Sequence, residues 1–139
     1  MNYTENYQLP QWVESDRVLM EDFNDAMEKI DASCGNCRIK MGSYIGTGTY
    51  GSAHPCSLTF DFPPLILFMN VSNKFSGGAH MAWFRGQTAA EYPGNINADF
   101  TIAWTENTVS WYQTYDSGDS GPAYQMNVEG VEYHYIVVG

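Results

Sequence analysis

The hydrophobic pattern of this chain changes its period near residue 37. Over residues 15–32 the apolar positions recur at helical spacing, and after Cys37 they alternate with polar positions with a period of two. The pattern therefore predicts an N-terminal segment, residues 1–37, that contains one α-helix, followed by a β-domain, residues 38–139.

The apolar residues of the predicted helix form a narrow stripe. Its members are four, three and four residues apart, which is the seam of a short coiled coil, and Val18 and Met27 widen it. Ser15 or Asp16 can cap the start, and Gly35 is a natural left-handed cap at the end. The predicted contacts between copies of the chain are Leu19, Phe23, Ala26 and Ile30.

A helix of this length is marginal on its own in water, so its apolar stripe must be covered. The helix can pack on its own domain, or it can gather several chains into a bundle. Two heptads are too few to separate these possibilities.

Short strands at regular spacing follow the helix. Leu58, Phe60 and Phe62 point to one side of a first strand. Beyond Pro63-Pro64, residues 65–69 are apolar on both sides, which predicts a central strand covered on both faces. Further strands are predicted at residues 80–84, 100–104, 108–112, 123–128 and 131–138, with a hairpin turn at 127–130. The predicted fold is mainly β, an antiparallel β-sandwich or jelly-roll-like domain preceded by one N-terminal α-helix.

Composition and charge exclude several partners. The chain has six Lys and Arg residues and a net charge of −10, whereas nucleic-acid binding requires a basic surface. No stretch approaches the ~20 apolar residues of a membrane span. The first residues also lack the basic and apolar regions of a signal peptide. We therefore expect neither nucleic acid nor membrane as a partner, and release from the cytoplasm, if any, by a route such as lysis.

The run DSGDSGP at residues 116–122 is similar to the sequence around the nucleophile of chymotrypsin-like serine proteases. One glycine of the usual motif is missing, and Glu91 follows Thr88-Ala89-Ala90 where that family has its histidine. Asp, Ser, Gly and Pro also favour turns, and the spacing does not fit an EF-hand. We interpret the run as a loop and predict no enzymatic activity.

The pair Cys34 and Cys37 follows the end of the predicted helix. The helix dipole disfavours a thiolate there, so redox catalysis is not expected. A zinc site would need two more ligands, which His54 and Cys56 could supply, with His80 or His134 as alternates to His54. Metal binding, a disulfide and free thiols remain open for this pair, and no cofactor is predicted.

Aromatic side chains on the β-domain are candidates for stacking on sugar rings. Trp104 and Trp111 lie within alternating strand patterns, so we expect them in the core. Two tyrosines flank the DSGDSGP run, and one tryptophan lies between glycine-containing stretches. The candidate ligand contacts are therefore Trp83, Tyr115 and Tyr124.

Six stretches of the chain carry a family resemblance. They are YQLPQW (7–12), DRVLMEDFN (16–24), GSYIGTGTYG (42–51), SLTFDF (57–62), NTVSWY (107–112) and YHYIVVG (133–139). Together they resemble the tail and fibre structural proteins of prophages from gut Firmicutes, over most of the chain. The resemblance is weakest at residues 72–98, where a ligand-facing loop is conceivable.

The resemblance implies a virion component at the tail tip or fibre. It implies a homotrimer that contacts other virion proteins and a bacterial surface glycan, and that is found in the virion or outside the cell after lysis. A capsid decoration or head-fibre subunit without a receptor role is an alternative, as is a carbohydrate-binding module outside any virion.

Overall fold

The computed structural model describes residues 1–34, 37–70, 80–93, 95–115 and 120–139. The chain divides into two compact units, Met1–Arg38 and Ile39–Gly139. In the described part, the first unit holds a short hairpin and a long helix, and the second holds eight strands and a four-residue helix.

The N-terminal unit consists of strands β1 (Asn2–Tyr3) and β2 (Pro10–Gln11), which pair antiparallel, and helix α1 (Met20–Cys34). The helix packs against β2. The ammonium of Lys29 on the helix donates a hydrogen bond to the Gln8 carbonyl at 3.1 Å and lies 5.9 Å from the centre of the Tyr3 ring. These contacts attach the hairpin to one side of the helix.

Helix α1 begins five residues later than the pattern predicts, at residue 20 instead of 15. The Asp16 carboxylate accepts a hydrogen bond from the Val13 backbone N–H at 3.0 Å and lies 3.2 Å from the N-terminal ammonium. Both interactions lower the pKa of Asp16, the backbone bond first. Because Asp16 is held in this turn, it does not cap the helix, and the first helical bond runs from Phe23 N–H to the Leu19 carbonyl at 3.2 Å. The proposed Gly35 cap lies outside the described residues.

The second unit is a sandwich of two four-stranded antiparallel sheets. Sheet I contains β3 (Ile39–Ile45), β10 (Glu132–Val138), β5 (Ile66–Asn70) and β6 (His80–Phe84), in that order. Sheet II contains β4 (Cys56–Thr59), β9 (Thr108–Gln113), β8 (Asn95–Trp104) and β7 (Ala89–Tyr92), in that order. The predicted mainly β antiparallel sandwich with an N-terminal helix is confirmed.

The core of the sandwich is aromatic and is shared by both sheets. Trp83 of sheet I meets Trp111 of sheet II with ring centres 5.4 Å apart and planes at 63°, and Trp83 also packs on Phe100. Edge-to-face rings at this distance attract each other beyond the burial of their surface. The expectation that Trp111 lies in the core is confirmed, while Trp104 is half-buried and donates from its indole nitrogen to the Gln87 carbonyl.

The strand predicted at residues 123–128 is wrong. Helix α2 (Gly121–Tyr124) occupies the first part of that stretch, and Met126, buried completely, has a left-handed backbone with φ of 60°. The reason is that Gln125, Met126 and Asn127 are all buried, whereas successive residues of a strand point to opposite faces, and both amides bond to neighbouring loops.

The prediction that residues 65–69 are covered on both faces is half right. Leu67 and Met69 of β5 are buried in the sandwich, but Phe68 on the opposite side of the strand is exposed. The second cover that the sequence pattern calls for is therefore not provided by the described strands and helix of the sandwich unit.

Candidate functional site

The two outer faces of the sandwich differ in chemistry. On sheet II the outward residues are mostly small and rich in hydroxyl groups, and the Thr59 and Thr108 hydroxyls of neighbouring strands lie 2.9 Å apart. The outward residues there include Ser57, Thr59, Thr101, Ala103, Thr108, Ser110 and the half-buried Tyr112, with Glu91 and Asp99 towards one edge. Such a surface is well hydrated and requires no cover.

Sheet I instead presents two complete rows of apolar side chains on its outer face. The strand register places Val138 between Ile39 and Ile66, and Ile136 between Met41 and Phe68. Phe84 and Ala82 of β6 extend these two rows to the other edge of the sheet. We call this set the apolar face; its members are Ile39, Met41, Ile66, Phe68, Ala82, Phe84, Ile136 and Val138.

The apolar face is open in the single chain. Its five largest exposed members, Ile39, Met41, Phe68, Phe84 and Ile136, have between 41% and 74% of their surface accessible. A full-size side chain of this kind offers about 180 Å², so these five alone present about 500 Å² of apolar surface. That is at the upper end for the largest apolar patch of a typical monomer, and such patches mark interaction sites.

A polar row borders the apolar face. His134 lies between Ser43 and Asn70 in the sheet, and His80 follows Asn70 on the edge strand. This row and the adjoining apolar row line a concavity of about 780 Å³. A ligand in this concavity would meet apolar surface on one side and hydroxyl, amide and imidazole groups on the other.

Helix α1 carries the second open apolar surface. Met20, Phe23, Met27 and Ile30 are between 37% and 80% exposed and follow spacings of three, four and three residues. We call these four residues the helix stripe. Of the predicted contacts, Phe23 and Ile30 belong to it. Leu19 is exposed just before the helix, while Ala26, only 6% exposed, is already covered within the chain.

The predicted ligand contacts are placed unevenly. Trp83 is 1% exposed in the centre of the core, so its prediction as a ligand contact is corrected: the alternating pattern of β6 points it inwards. Tyr115 and Tyr124 do lie together, with ring centres 5.5 Å apart and nearly perpendicular planes. Both are half-buried against the core, and Tyr124 also packs on Tyr92. Residues 116–119 between them lie outside the described residues.

A buried amide network, which the sequence did not predict, fixes the GTGTYG stretch at residues 46–51. The amide oxygen of Gln125 accepts from Gly51 N–H at 2.7 Å and from Gln113 N–H at 3.2 Å, and its nitrogen donates to the His54 carbonyl at 2.8 Å. Asn127 likewise accepts from Thr47 N–H and donates to the Thr49 carbonyl. Each amide oxygen and nitrogen of these two buried side chains has at least one hydrogen-bond partner, so the network is structural.

The chemical groups beside this network are not activated. Burial raises the pKa of the Cys56 thiol, although a contact with the Gln125 amide opposes the shift. Burial also raises the pKa of Tyr44 and Tyr133 above the usual range for tyrosine. A thiol or phenol with a raised pKa is a poor nucleophile at neutral pH. These residues therefore belong to the packing of the sandwich.

The described residues give no support to a metal site. No group of three or more His, Cys, Asp and Glu side chains capable of holding a metal ion occurs among them. Cys37, which is exposed, and Cys56 are both free thiols. The side chain of Cys34 is outside the described part of the structure, so the state of the Cys34 and Cys37 pair stays a prediction.

Neither described helix has the length and apolar character needed to cross a lipid bilayer. Comparison of the chain with protein-family models, with curated proteins and with solved structures found no match. The candidate sites therefore stand on the geometry of the apolar face and of the helix stripe.

Proposed function

We propose that the chain is a non-enzymatic structural subunit of a phage or prophage virion, a fibre-like or tail-tip adhesin that binds the bacterial surface. Helix α1 gathers copies of the chain, three in the simplest arrangement, and each copy presents a β-sandwich. The observation that carries the proposal is the helix stripe, which is apolar, exposed and spaced like a coiled-coil seam.

The length of the helix supports self-association. At 15 residues α1 is near the limit at which a helix is stable in water, and the hairpin covers only part of it. The four members of the helix stripe leave about 350–400 Å² of apolar surface open, if a full-size side chain offers about 180 Å². At about 25 cal/mol per Å², covering that surface contributes about 9 kcal/mol per helix before the entropic cost of association.

The sequence resemblance to prophage tail and fibre proteins supplies the biological setting of the proposal. Gathering several sandwiches multiplies weak contacts, so that a glycan bound poorly by one copy can hold an assembled particle on a cell. Residues 1–38 hold eight acidic and three basic residues, so the proposed bundle needs its apolar seam to overcome charge repulsion.

The test compares two charge substitutions on the same helix by light scattering of the full chain. Phe23→Glu places a charge in the helix stripe, and Asn24→Glu places the same charge at the next, exposed position, which borders the stripe but does not belong to it. We expect the wild type and Asn24→Glu to have at least three times the 15.6 kDa mass of the chain, and Phe23→Glu to lose the helix-mediated association. A wild-type monomer at micromolar concentration would contradict the proposal.

The same variants test the adhesin role. Retention on bacterial cell-wall glycans should be strong for the wild type and for Asn24→Glu, and at least about tenfold weaker for Phe23→Glu, because avidity is lost. An assembled wild type with no retention would refute the receptor role and favour the decoration or head-fibre subunit.

A further inference from the structure

We propose that the apolar face of sheet I is a second interface between copies of this chain, in which the apolar faces of neighbouring copies pack against one another. The proposal extends the proposed self-association to a separate surface. This second interface is formed by strands β3, β5, β6 and β10 of sheet I and includes no residue of the helix stripe.

The area of the apolar face suits a second copy of the chain better than a small ligand. The apolar face presents about 500 Å² from its five largest exposed members, and its smaller members and the exposed polar row add to this area. One partner in a standard stable protein interface contributes about 800 Å². A small ligand in the concavity would leave most of the two apolar rows in water.

The charge distribution favours an identical partner. The sandwich, residues 39–139, holds eight acidic and three basic residues, so two copies repel each other over most of their surface. Among the described outward residues at the centre of sheet I, none is a Lys, Arg, Asp or Glu; Glu132 lies at the end of β10, 4.0 Å from His134. An uncharged face on an acidic chain is the surface by which two copies can approach most closely.

The polar row is compatible with self-pairing. Ser, Asn and neutral His each contain both a hydrogen-bond donor and an acceptor. Ser43, Asn70, His80 and His134 can therefore pair with the same residues of another copy without leaving a buried group unsatisfied. Interfaces of this composition, with an apolar centre and a polar rim, are typical of protein oligomers.

The first test uses the full chain with Ile136→Glu, at the centre of the apolar face, and Thr101→Glu as the matched control on the outer face of sheet II. A charge buried without a partner should raise the dissociation constant for association through sheet I at least about a hundredfold. Thr101→Glu should leave it unchanged. An unchanged dissociation constant for a folded Ile136→Glu, checked by circular dichroism, would overturn the proposal.

Combination with Phe23→Glu separates the two interfaces. Phe23→Glu alone should still associate through sheet I, and Phe23→Glu with Ile136→Glu should be monomeric. A monomeric Phe23→Glu variant would overturn the sheet I interface and leave the helix stripe as the sole contact. Association lost in Ile136→Glu but intact in Phe23→Glu would support the sheet I interface and refute the helix bundle.

A second measurement does not depend on a disruptive substitution. A photo-crosslinking amino acid at Met41, the most exposed member of the apolar face, should join two chains in a mixed sample of ¹⁴N- and ¹⁵N-labelled protein. Cross-links between isotopes that map to residues 39–45, 66–70 or 132–138 support the proposal. Cross-links that map to residues 1–34, or no cross-link between isotopes, would overturn it.

Salt gives an independent check. Because the paired chains carry the same sign of charge, raising the salt from about 0.05 M to about 0.5 M should lower the dissociation constant. A dissociation constant that rises with salt would mean that charge pairs between the copies, and not the uncharged apolar face, hold them together, and the proposal would be wrong.

Discussion

Replacing Gln125 by Met removes a buried amide that joins three parts of the sandwich. The side chain is fully buried and bonds to Gly51, to Gln113 and to the carbonyl of His54. Methionine has a similar volume and cannot form these bonds, so Gln125→Met isolates the loss of hydrogen bonding from the loss of packing.

The expected loss of unfolding free energy follows from the backbone groups that lose their hydrogen bond to the Gln125 amide. The Gln113 N–H is fully buried, and leaving it unsatisfied costs about 1–3 kcal/mol. The Gly51 N–H is half-buried and adds about 1 kcal/mol, while the exposed His54 carbonyl can bond to water instead. We therefore expect the free energy of unfolding of the sandwich to fall by about 2–4 kcal/mol, or its Tm by about 10–25 °C.

The assay is urea unfolding followed by tryptophan fluorescence, because Trp83 and Trp111 report on the core of the sandwich. The matched control is Gln87→Met. Gln87 also makes two side-chain hydrogen bonds, to Phe84 N–H and to the Ala89 carbonyl, but in an exposed turn where water can replace them. If the two variants lose stability to within about 1 kcal/mol of each other, the buried network does not have the role assigned to it.

Two further predictions follow from the buried titratable groups. Burial raises the pKa of Tyr44, so the neutral phenol favours the folded protein, and the folded protein loses stability as the pH rises above about 10, the pKa of an unfolded tyrosine. Tyr44→Phe should therefore reduce the loss of unfolding free energy between about pH 9 and 11. An equally steep loss in the variant would refute this. The pKa of the Cys56 thiol is also raised, so at pH 8 Cys56 should react with a maleimide at least about tenfold more slowly than the exposed Cys37. Mass spectrometry measures the two rates site by site, and equal rates would contradict the structure.

The period of the hydrophobic pattern was sufficient to predict the general architecture. Alternation around Leu58 and within residues 80–84 and 108–112 reflects strands with one side in a common core, and the structure confirms these strands. The helical period over residues 15–32 reflects α1, but not its start, because that depends on which group the Asp16 carboxylate binds. A side-chain bond of that kind leaves no periodic signal.

The misassigned stretch at 123–128 has a similar cause. Gln125 and Asn127 alternate with apolar residues as in a strand, yet both side chains point into the protein and bond to segments about 70–80 residues away. Whether a polar residue is outward or buried depends on partners that are distant in sequence. The error at Trp83 has a related cause. The glycine-containing stretches on either side suggested an exposed position, but the side chain points from its strand into the core.

The candidate sites could be predicted only in part. Apolar residues on both sides of residues 65–69 predicted cover on two faces of β5, and the structure shows it on one. The extent of the uncovered apolar surface depends on the outward side chains of three other strands, which come from residues 39–45, 80–84 and 132–138. Only the strand order brings these residues together.

A two-sheet domain with one hydroxyl-rich and one apolar outer face can be covered by another subunit on the apolar face alone. When two apolar faces pack together, the apolar surface of each sandwich is buried and its remaining outer surface is polar. Association through the sandwich alone would therefore stop at that contact, whereas a subunit that was apolar on both sides would stack without limit. The threonines and serines of sheet II thus give the sandwich a single apolar side.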